Sequence, residues 1–385
     1  MLVCAESACS SVVQPLPMKS DVVLSGLLPE ELAEAADIPL SCARRLFSRI
    51  QKGSVLPEIS PSTIRRVSLD RVKALGVQRE LRLVEQAASA LDPFIKYAFA
   101  GPDDKPFETV RIPLEKAGRY SVCVSSQVGC AIACRFCATG TMGLTRNLEV
   151  WEIVAQVQAV SQGLTAPQAR VHGVVFQGMG EPLANAARVI AAIRILSEPA
   201  GLAIDQRNIT VCTSGLIPGI RAVAEALPNV RLGVSIGDAR EGKRQAIMPI
   251  DETYRLTDVL RAVGEHARGS GYAPMWAYTL LAGVNDSPEA ATALAERAAA
   301  FVQEFGIRPR ISLIPYNPVA GNDGRQLPFE RSGASVLELF REQLLAKGFG
   351  SIVRYSGGGD IGAACGQLVQ LSEKRGTRLA PSAPR

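Results

Sequence analysis

Cys130, Cys134 and Cys137 stand in a C-x3-C-x2-C pattern within CVSSQVGCAIACRFCATG, residues 123–140. The whole chain holds only nine cysteines in 385 residues, so composition alone does not bring three so close together. An odd number at this tight spacing cannot pair off as a disulfide framework. Three thiolates on one short loop can hold three corners of an iron–sulfur cube. Such cubes usually take four cysteines, so three leave one iron open to a substrate or cofactor, by the logic that separates catalytic from structural zinc sites. A zinc knot is the competing reading, and it needs a fourth Cys or His at knuckle distance. The nearest candidates, Cys123 upstream and His172 well downstream, fit poorly, and the one other histidine is His266.

Two further segments carry chemistry. In FQGMGEP (176–182), Gly178 and Gly180 allow close backbone approach to a ligand, and Glu181 offers a carboxylate to an ammonium group. In the glycine-rich SIVRYSGGGDIGAACGQL (351–368), Cys365 stands among small residues. Cys4, Cys9 and Cys42 read as ordinary buried thiols.

The elements that must position these groups alternate regularly from residue 119 onward. Apolar runs at 120–127, 171–178, 208–213, 231–236, 275–281 and 310–316 predict strands, and amphipathic stretches between them predict helices. Six βα units in a row imply an α/β fold, a partial (βα)6 barrel of parallel strands. Chemistry in such folds gathers at the C-terminal strand ends, where the cysteine loop falls after the first strand. Upstream, PEELAEAA, SCARRLFSRIQ, PSTIRRVSLDRVKALG and RELRLVEQAASAL read as helices of a small accessory domain, and PFIKYAFAGPDDKPFETVRIPLEKAGRY as short strands about a Gly-Pro-Asp turn. The expected organisation is a loose leader (1–25), a helical accessory domain (26–105), the barrel (106–350), a C-terminal cysteine segment (351–370) and a disordered tail (371–385).

A hydrophobic fraction of 47% and a mean hydropathy of +0.13 describe a globular chain. No run of eighteen apolar residues predicts a membrane span, and the N-terminus lacks the charged and apolar regions of a secretory signal. Thiolate chemistry with free cysteines belongs in a reducing compartment, so a cytoplasmic location is expected. The net charge of +5 permits nucleic-acid binding, and a run of base from Arg44 to Arg82 predicts a phosphate-contacting surface against the plainer reading of a solvated helix face.

Taken with FETV (107–110), VVFQGMGEPL (174–183), ITVCTSG (209–215), LIPYNP (313–318) and GGDIGAACGQL (358–368), the cysteine stretch resembles the RlmN/Cfr family of radical S-adenosylmethionine (SAM) RNA (adenosine) methyltransferases. The likeness runs from about residue 105 to 370 and is most specific at the two cysteine segments. It implies one [4Fe–4S] cluster on Cys130, Cys134 and Cys137, and S-adenosyl-L-methionine bound through Gly180, Glu181, Cys212, Ser235, Ile236, Gly237 and Asn317. Cys365 would carry the methyl group, and Cys123 would resolve the covalent RNA adduct and be able to form a disulfide with Cys365. Glu108 matches the family's proton acceptor. The implied substrate is ribosomal RNA, with transfer RNA as a further target, methylated at adenine C2 or C8, and the implied electron donor is a flavodoxin.

The chain departs from the family at three places. Ser235-Ile236-Gly237-Asp238 stands where a Ser-Leu-His segment is usual, Cys212 where serine is usual, and Ala277 where glutamate is common. These changes keep open a radical SAM enzyme acting on a peptide or small molecule. A redox-sensing RNA-binding protein using Cys123 and Cys365 fits less well, because a sensor has no use for a SAM pocket. His172 and His266 match no catalytic position and read as structural or surface residues.

Overall fold

The computed structural model describes residues 22–321 and 324–368. The expected tail at 371–385, most of the leader, and Cys4 and Cys9 lie outside the described residues. Helices α1 (Pro29–Ala35), α2 (Leu40–Gln51) and α3 (Arg66–Leu75) come first. Strands β1 (Arg82–Ala88), β2 (Ile95–Ala100), β3 (Pro106–Pro113) and β4 (Arg119–Val124) follow. A hairpin of β5 (Gln127–Cys130) and β6 (Gly143–Asn147) leads into α4 (Val150–Gln162) and β7 (Arg170–Phe176). Then α5 (Ala186–Ser197), β8 (Ile209–Thr213), α6 (Ile217–Ala226), β9 (Arg231–Ser235) and α7 (Leu256–Ser270) alternate. The series closes with β10 (Met275–Leu280), α8 (Pro288–Phe305), β11 (Arg310–Pro315), α9 (Ala334–Ala346) and the short β12 (Ser351–Val353).

The six predicted strands are present as β4, β7, β8, β9, β10 and β11, in that spatial order and parallel throughout. This is the partial (βα)6 barrel. The strands are near-continuous apolar runs because helices cover the outer face and side chains fill the inner one. Helix ends follow from local chemistry: the Ser287 hydroxyl accepts from the Ala290 N–H at the start of α8, and Gly306, in the left-handed region, ends it.

Two features of the main sheet depart from the sequence reading. RELRLVEQAASAL, expected as a helix, contains β1, paired antiparallel with β2 from Arg82↔Ala100 to Ala88↔Ile95. Nearly all of β1 is exposed, so a helix there would have had no apolar face to bury, and the ladder offered by β2 overrides propensity. Second, β12 adds a seventh parallel strand beside β11. With β1–β3 antiparallel on the other side, the described residues form one ten-stranded sheet.

The N-terminal helices bury Leu32, Leu46, Phe47, Ile50, Leu69 and Val72, and α2 docks on α4 where the Gln158 amide donates to Gln51 Oε1 at 3.0 Å. Much of the basic run is neutralised: Arg44, Arg66, Arg71, Lys73 and Arg82 pair with Glu30, Asp70, Asp37, Glu58 and Asp104. Arg45, Lys52, Arg65 and Arg79 are exposed without an ion pair among the described residues. Any phosphate-contacting surface here is narrower than the count of bases implied. Among the described residues no helix is long and apolar enough to cross a membrane.

Candidate active site

The cysteine loop is the tip of the β5–β6 hairpin, which the sequence reading did not anticipate. Cys130 ends β5 opposite Gly143, and a bulge at Val128/Gly129 turns the strand. Gly129 has φ +78°, and a Cβ there would lie 1.9 Å from the Gly143 carbonyl oxygen, so no other residue fits. Beyond it the loop folds on itself, the Cys137 N–H donating to the Cys134 carbonyl at 3.2 Å. The C-terminal segment closes over this loop. Ala138 N–H donates to the Gly366 carbonyl at 2.9 Å, and the Thr139 hydroxyl to the Leu368 carbonyl at 2.6 Å.

Two clefts result. The first, at the C-terminal strand ends, is lined by Cys130, Cys134, Cys137, Gly180, Glu181, Ser214 and Ser235. The second follows the inner face of β3, β4 and β7 and is lined by Cys123, Val110, Phe94, Arg354 and Tyr355. Cys137, Gln177, Gly178 and Cys365 line both. Cys365 is therefore a residue of the shared wall.

Glu181 is fully enclosed. Its carboxylate accepts from the Leu183 N–H at 3.1 Å and the Ser214 N–H at 2.7 Å, and burial raises its pKa in spite of them. The Gly180 turn, φ +97°, lets this stretch press on Gln127: a Cβ would sit 2.5 Å from Gln127 Cβ, and the Glu181 N–H donates to Gln127 Oε1 at 2.8 Å. The missing side chain lets the turn pack on Gln127, and Gly180 also lines the first cleft. Ser235 and Ser214 are held from behind by buried Arg244, which donates to the Ser214 carbonyl at 2.5 Å, the Ser235 carbonyl at 3.0 Å and the Ile236 carbonyl at 3.0 Å, and pairs with Asp251 at 3.0 Å. Ile236 is buried in the main core, and the Gly237 carbonyl accepts from the Asn285 amide at 2.7 Å. Asn317 reaches the cysteine arm: its amide donates to the Cys365 carbonyl at 3.2 Å while its oxygen accepts from Arg331 at 2.8 Å.

Glu108 shares the β3 face of Val110 and Ile112 and is buried in an ion pair with Lys96 at 2.8 Å. The Lys96 ammonium also reaches the Gly362 carbonyl at 3.5 Å. His172 lies beside Arg119 at 3.3 Å, and His266 is buried on α7 against the Val230 carbonyl, and neither lines either cleft.

Residues 124–290 match the Radical SAM superfamily. A probable RNA methyltransferase of Sorangium cellulosum is 57% identical over 376 residues, 93% of this chain and 95% of the relative. The dual-specificity RNA methyltransferase RlmN of Syntrophobacter fumaroxidans is 38% identical over 327 residues, 85% of this chain and 91% of the relative. Among solved structures, a radical SAM methyltransferase from Sphaerobacter thermophilus superposes with a TM-score of 0.78 at 34% identity, covering 90% of this chain and 98% of that one. The chain belongs to the RlmN/Cfr family of radical SAM RNA methyltransferases.

A radical SAM methyltransferase implies a [4Fe–4S] cluster and SAM, and the first cleft fits both. Three thiols face one space with the Glu181 carboxylate. Burial pushes Cys130 up to about 12 and also raises Cys134 and Cys137, so these thiols ionise only against strong positive charge, which an iron cluster provides. Among the described residues no three His, Cys, Asp or Glu side chains converge as ligands of a single metal ion. A cubane asks for something else, since each of its thiolates takes a separate iron. All described cysteines are free thiols, Cys123 and Cys365 included.

Sequence reasoning missed Arg354 and Gln177, although both lie in segments it singled out. Arg354 Nη1 donates to Gln177 Oε1 at 2.6 Å and Nη2 to Met275 Sδ at 3.2 Å. Burial opposes its charge, but the sulfurs of Cys365, Cys212 and Cys123 outweigh that and raise its pKa. A buried cation that answers three thiols has no signature in spacing, because the four residues come from β4, β8 and two sites on the C-terminal segment.

Proposed function

We propose that this methyltransferase modifies an adenine carbon, C2 or C8, of ribosomal or transfer RNA, through an S-methyl group on Cys365 and with two SAM molecules per turnover. The observation that carries this reading is that Cys365 lines both clefts. A sulfur in the shared wall can take a methyl group from SAM in the first cleft and present it to a base in the second.

The chemistry requires such a relay. An adenine C–H carbon is not a nucleophile, so direct displacement on SAM is closed to it, whereas a thiolate displaces readily. A bound cluster and SAM would supply the one-electron radical chemistry that activates an S-methyl group. Cys130, Cys134 and Cys137 would hold the cluster. Glu181 would receive the SAM ammonium beside Gly180 and Ser235, with Cys212, Ile236, Gly237 and Asn317 shaping the surround. Glu108 would take the ring proton, its charge balanced by Lys96. Cys123 would attack the Cys365 sulfur to free the methylated RNA. A flavodoxin-type protein would deliver the electrons.

RNA suits the second cleft because an unstacked loop base can be splayed into it. At the cleft, Phe94 and Tyr355 meet edge to face at 6.2 Å, and the Tyr355 ring is 69% exposed, a surface on which a base can stack.

The test uses reconstituted protein, methyl-trideuterated SAM, unmodified ribosomal and transfer RNA, and nucleoside mass spectrometry. A methyladenosine retaining two of the three deuteria is expected. Retention of all three would mean direct transfer and overturn the relay. SAM cleavage with no labelled nucleoside would point to a peptide or small-molecule substrate.

A further inference from the structure

Cys212 completes a set of three thiols that the family pattern does not contain. Alternation along β8 places Cys212 on the inner face between Thr210, which lines the second cleft, and Ser214, which lines the first. Its sulfur is interior: a Cβ on Gly233 would lie 2.9 Å from Cys212 Sγ and 2.9 Å from Met275 Cε. Arg354, hydrogen-bonded to Met275 Sδ, interacts with Cys212, Cys123 and Cys365 together.

Cys123 and Cys212 are fixed in the barrel wall with β7 between them, Cys123 being level with Val175 and Val175 with Thr210. Two inter-strand steps of about 4.8 Å exceed the roughly 7 Å limit on Cα separation for a disulfide, so these two cannot bridge. Cys365 differs, since its arm turns at Gly358, Gly362 and Gly366, all with positive φ. Of the three thiols it alone is carried off the strands, and it interacts electrostatically with each of the other two.

We propose that Cys212 is a second resolving thiol, able to release methylated RNA from Cys365 in place of Cys123. The inference rests on the Cys365 relay above. In the covalent adduct the Cys365 sulfur is bonded to the methylene carried by the adenine carbon. The Cys212 thiol releases its proton to water and attacks Cys365 Sγ, and the S–S bond forms. The S–CH2 bond breaks, its electron pair goes to carbon, and the carbon takes a proton from water to become methyl. The carbon is reduced, two cysteines are oxidised to a disulfide, and a dithiol reductant returns them. Burial raises both wall thiols, with Arg354 the positive charge opposing it at each. In the adduct Cys365 is a thioether and carries no charge, so the Arg354 charge favours whichever wall thiol attacks.

The experiment compares C123A with C123A/C212S in the reconstituted holoenzyme, given SAM, reductant and substrate RNA. Denaturing gels read the protein–RNA adduct, and nucleoside mass spectrometry reads released product. C123A is expected to release methyladenosine and, before reduction, to yield a Cys212–Cys365 disulfide peptide. The double variant is expected to trap at least tenfold more adduct and release none. Equal trapping in both variants, with no Cys212–Cys365 peptide, overturns the proposal while leaving the relay standing. Absence of adduct in both, while the wild type methylates RNA, overturns the relay and this inference with it. Cluster absorbance is recorded for each variant, and the disulfide peptide is an independent readout should C212S load poorly.

Discussion

Lys96 and Glu108 form a 2.8 Å ion pair with almost no water around it, the Glu108 side chain being 1% exposed and that of Lys96 10%. Removing one partner leaves a buried charge uncompensated, which costs roughly 3–5 kcal/mol, whereas replacing both with apolar groups can be nearly neutral. E108L and K96M are each expected to lower the urea midpoint strongly, and K96M/E108L to lose far less than their sum. Additive losses in the double-mutant cycle would show that the pair is not coupled.

Arg354 ties the Cys365 arm to the barrel through Gln177, and it faces three thiols besides Met275 Sδ, with no carboxylate partner among the described residues. Hydrogen bonds to charged groups contribute about 1.5–3 kcal/mol. R354M is accordingly expected to lower RNA methylation by roughly 10- to 150-fold, with the cluster absorbance unchanged. R354K keeps the charge but not the fork of donors and should recover only part of the loss. Wild-type S-methylation of Cys365 in R354M, read by peptide mass spectrometry, would show that Arg354 does not position that sulfur.

The Cys365 arm is latched to the turn between β1 and β2 by two carboxylates. Asp92 accepts from the Gly358 N–H at 2.9 Å and the Tyr355 hydroxyl at 2.8 Å, and Asp360 accepts from the Ser89 hydroxyl at 2.8 Å and the Ala90 N–H at 2.9 Å. Burial raises both pKa values, but these donors prevail and both lie below the usual aspartate value of 3.8. A depressed folded value means the latch is fully present above the unfolded pKa and is lost as pH falls through the folded one. Hydrogen exchange of the 355–366 segment should be flat from pH 8 to 5 once corrected for intrinsic rates. D92A should speed it about tenfold, for a loss of about 1.4 kcal/mol. Unchanged exchange in D92A would mean the arm is held elsewhere.

Legibility in the sequence followed the reach of each signal. The six barrel strands and the cysteine loop were readable because apolar runs and C-x3-C-x2-C are local patterns. The β1 strand was not, since RELRLVEQAASAL acquires its conformation from pairing with Ile95–Ala100. Cys365, Cys123 and Glu181 could be nominated from short segments, but their grouping depends on the β3–β4–β7 side of the barrel meeting an arm far away in the chain. Arg354, Gln177, Lys96 and Arg244 had no local signature at all. Each is defined by a nonlocal partner, and a buried cation reveals itself only when the groups around it are in place.

Gly180 separates two costs that a glycine can conceal. Its φ of +97° strains any side chain, and a Cβ would also strike Gln127 at 2.5 Å, the residue whose side-chain oxygen Oε1 receives the Glu181 N–H. Gly283 shares a positive φ of +69° but has nothing within 4 Å of the added atom. Backbone strain alone costs about 1–3 kcal/mol. G283A should therefore lower stability by that amount and leave SAM binding intact. G180A should destabilise at least as much and, by displacing Glu181, weaken SAM binding about tenfold or more in calorimetric titration of the cluster-loaded enzyme. Equal SAM affinity in the two variants would mean that Glu181 holds its place without Gln127, and that the turn serves stability alone.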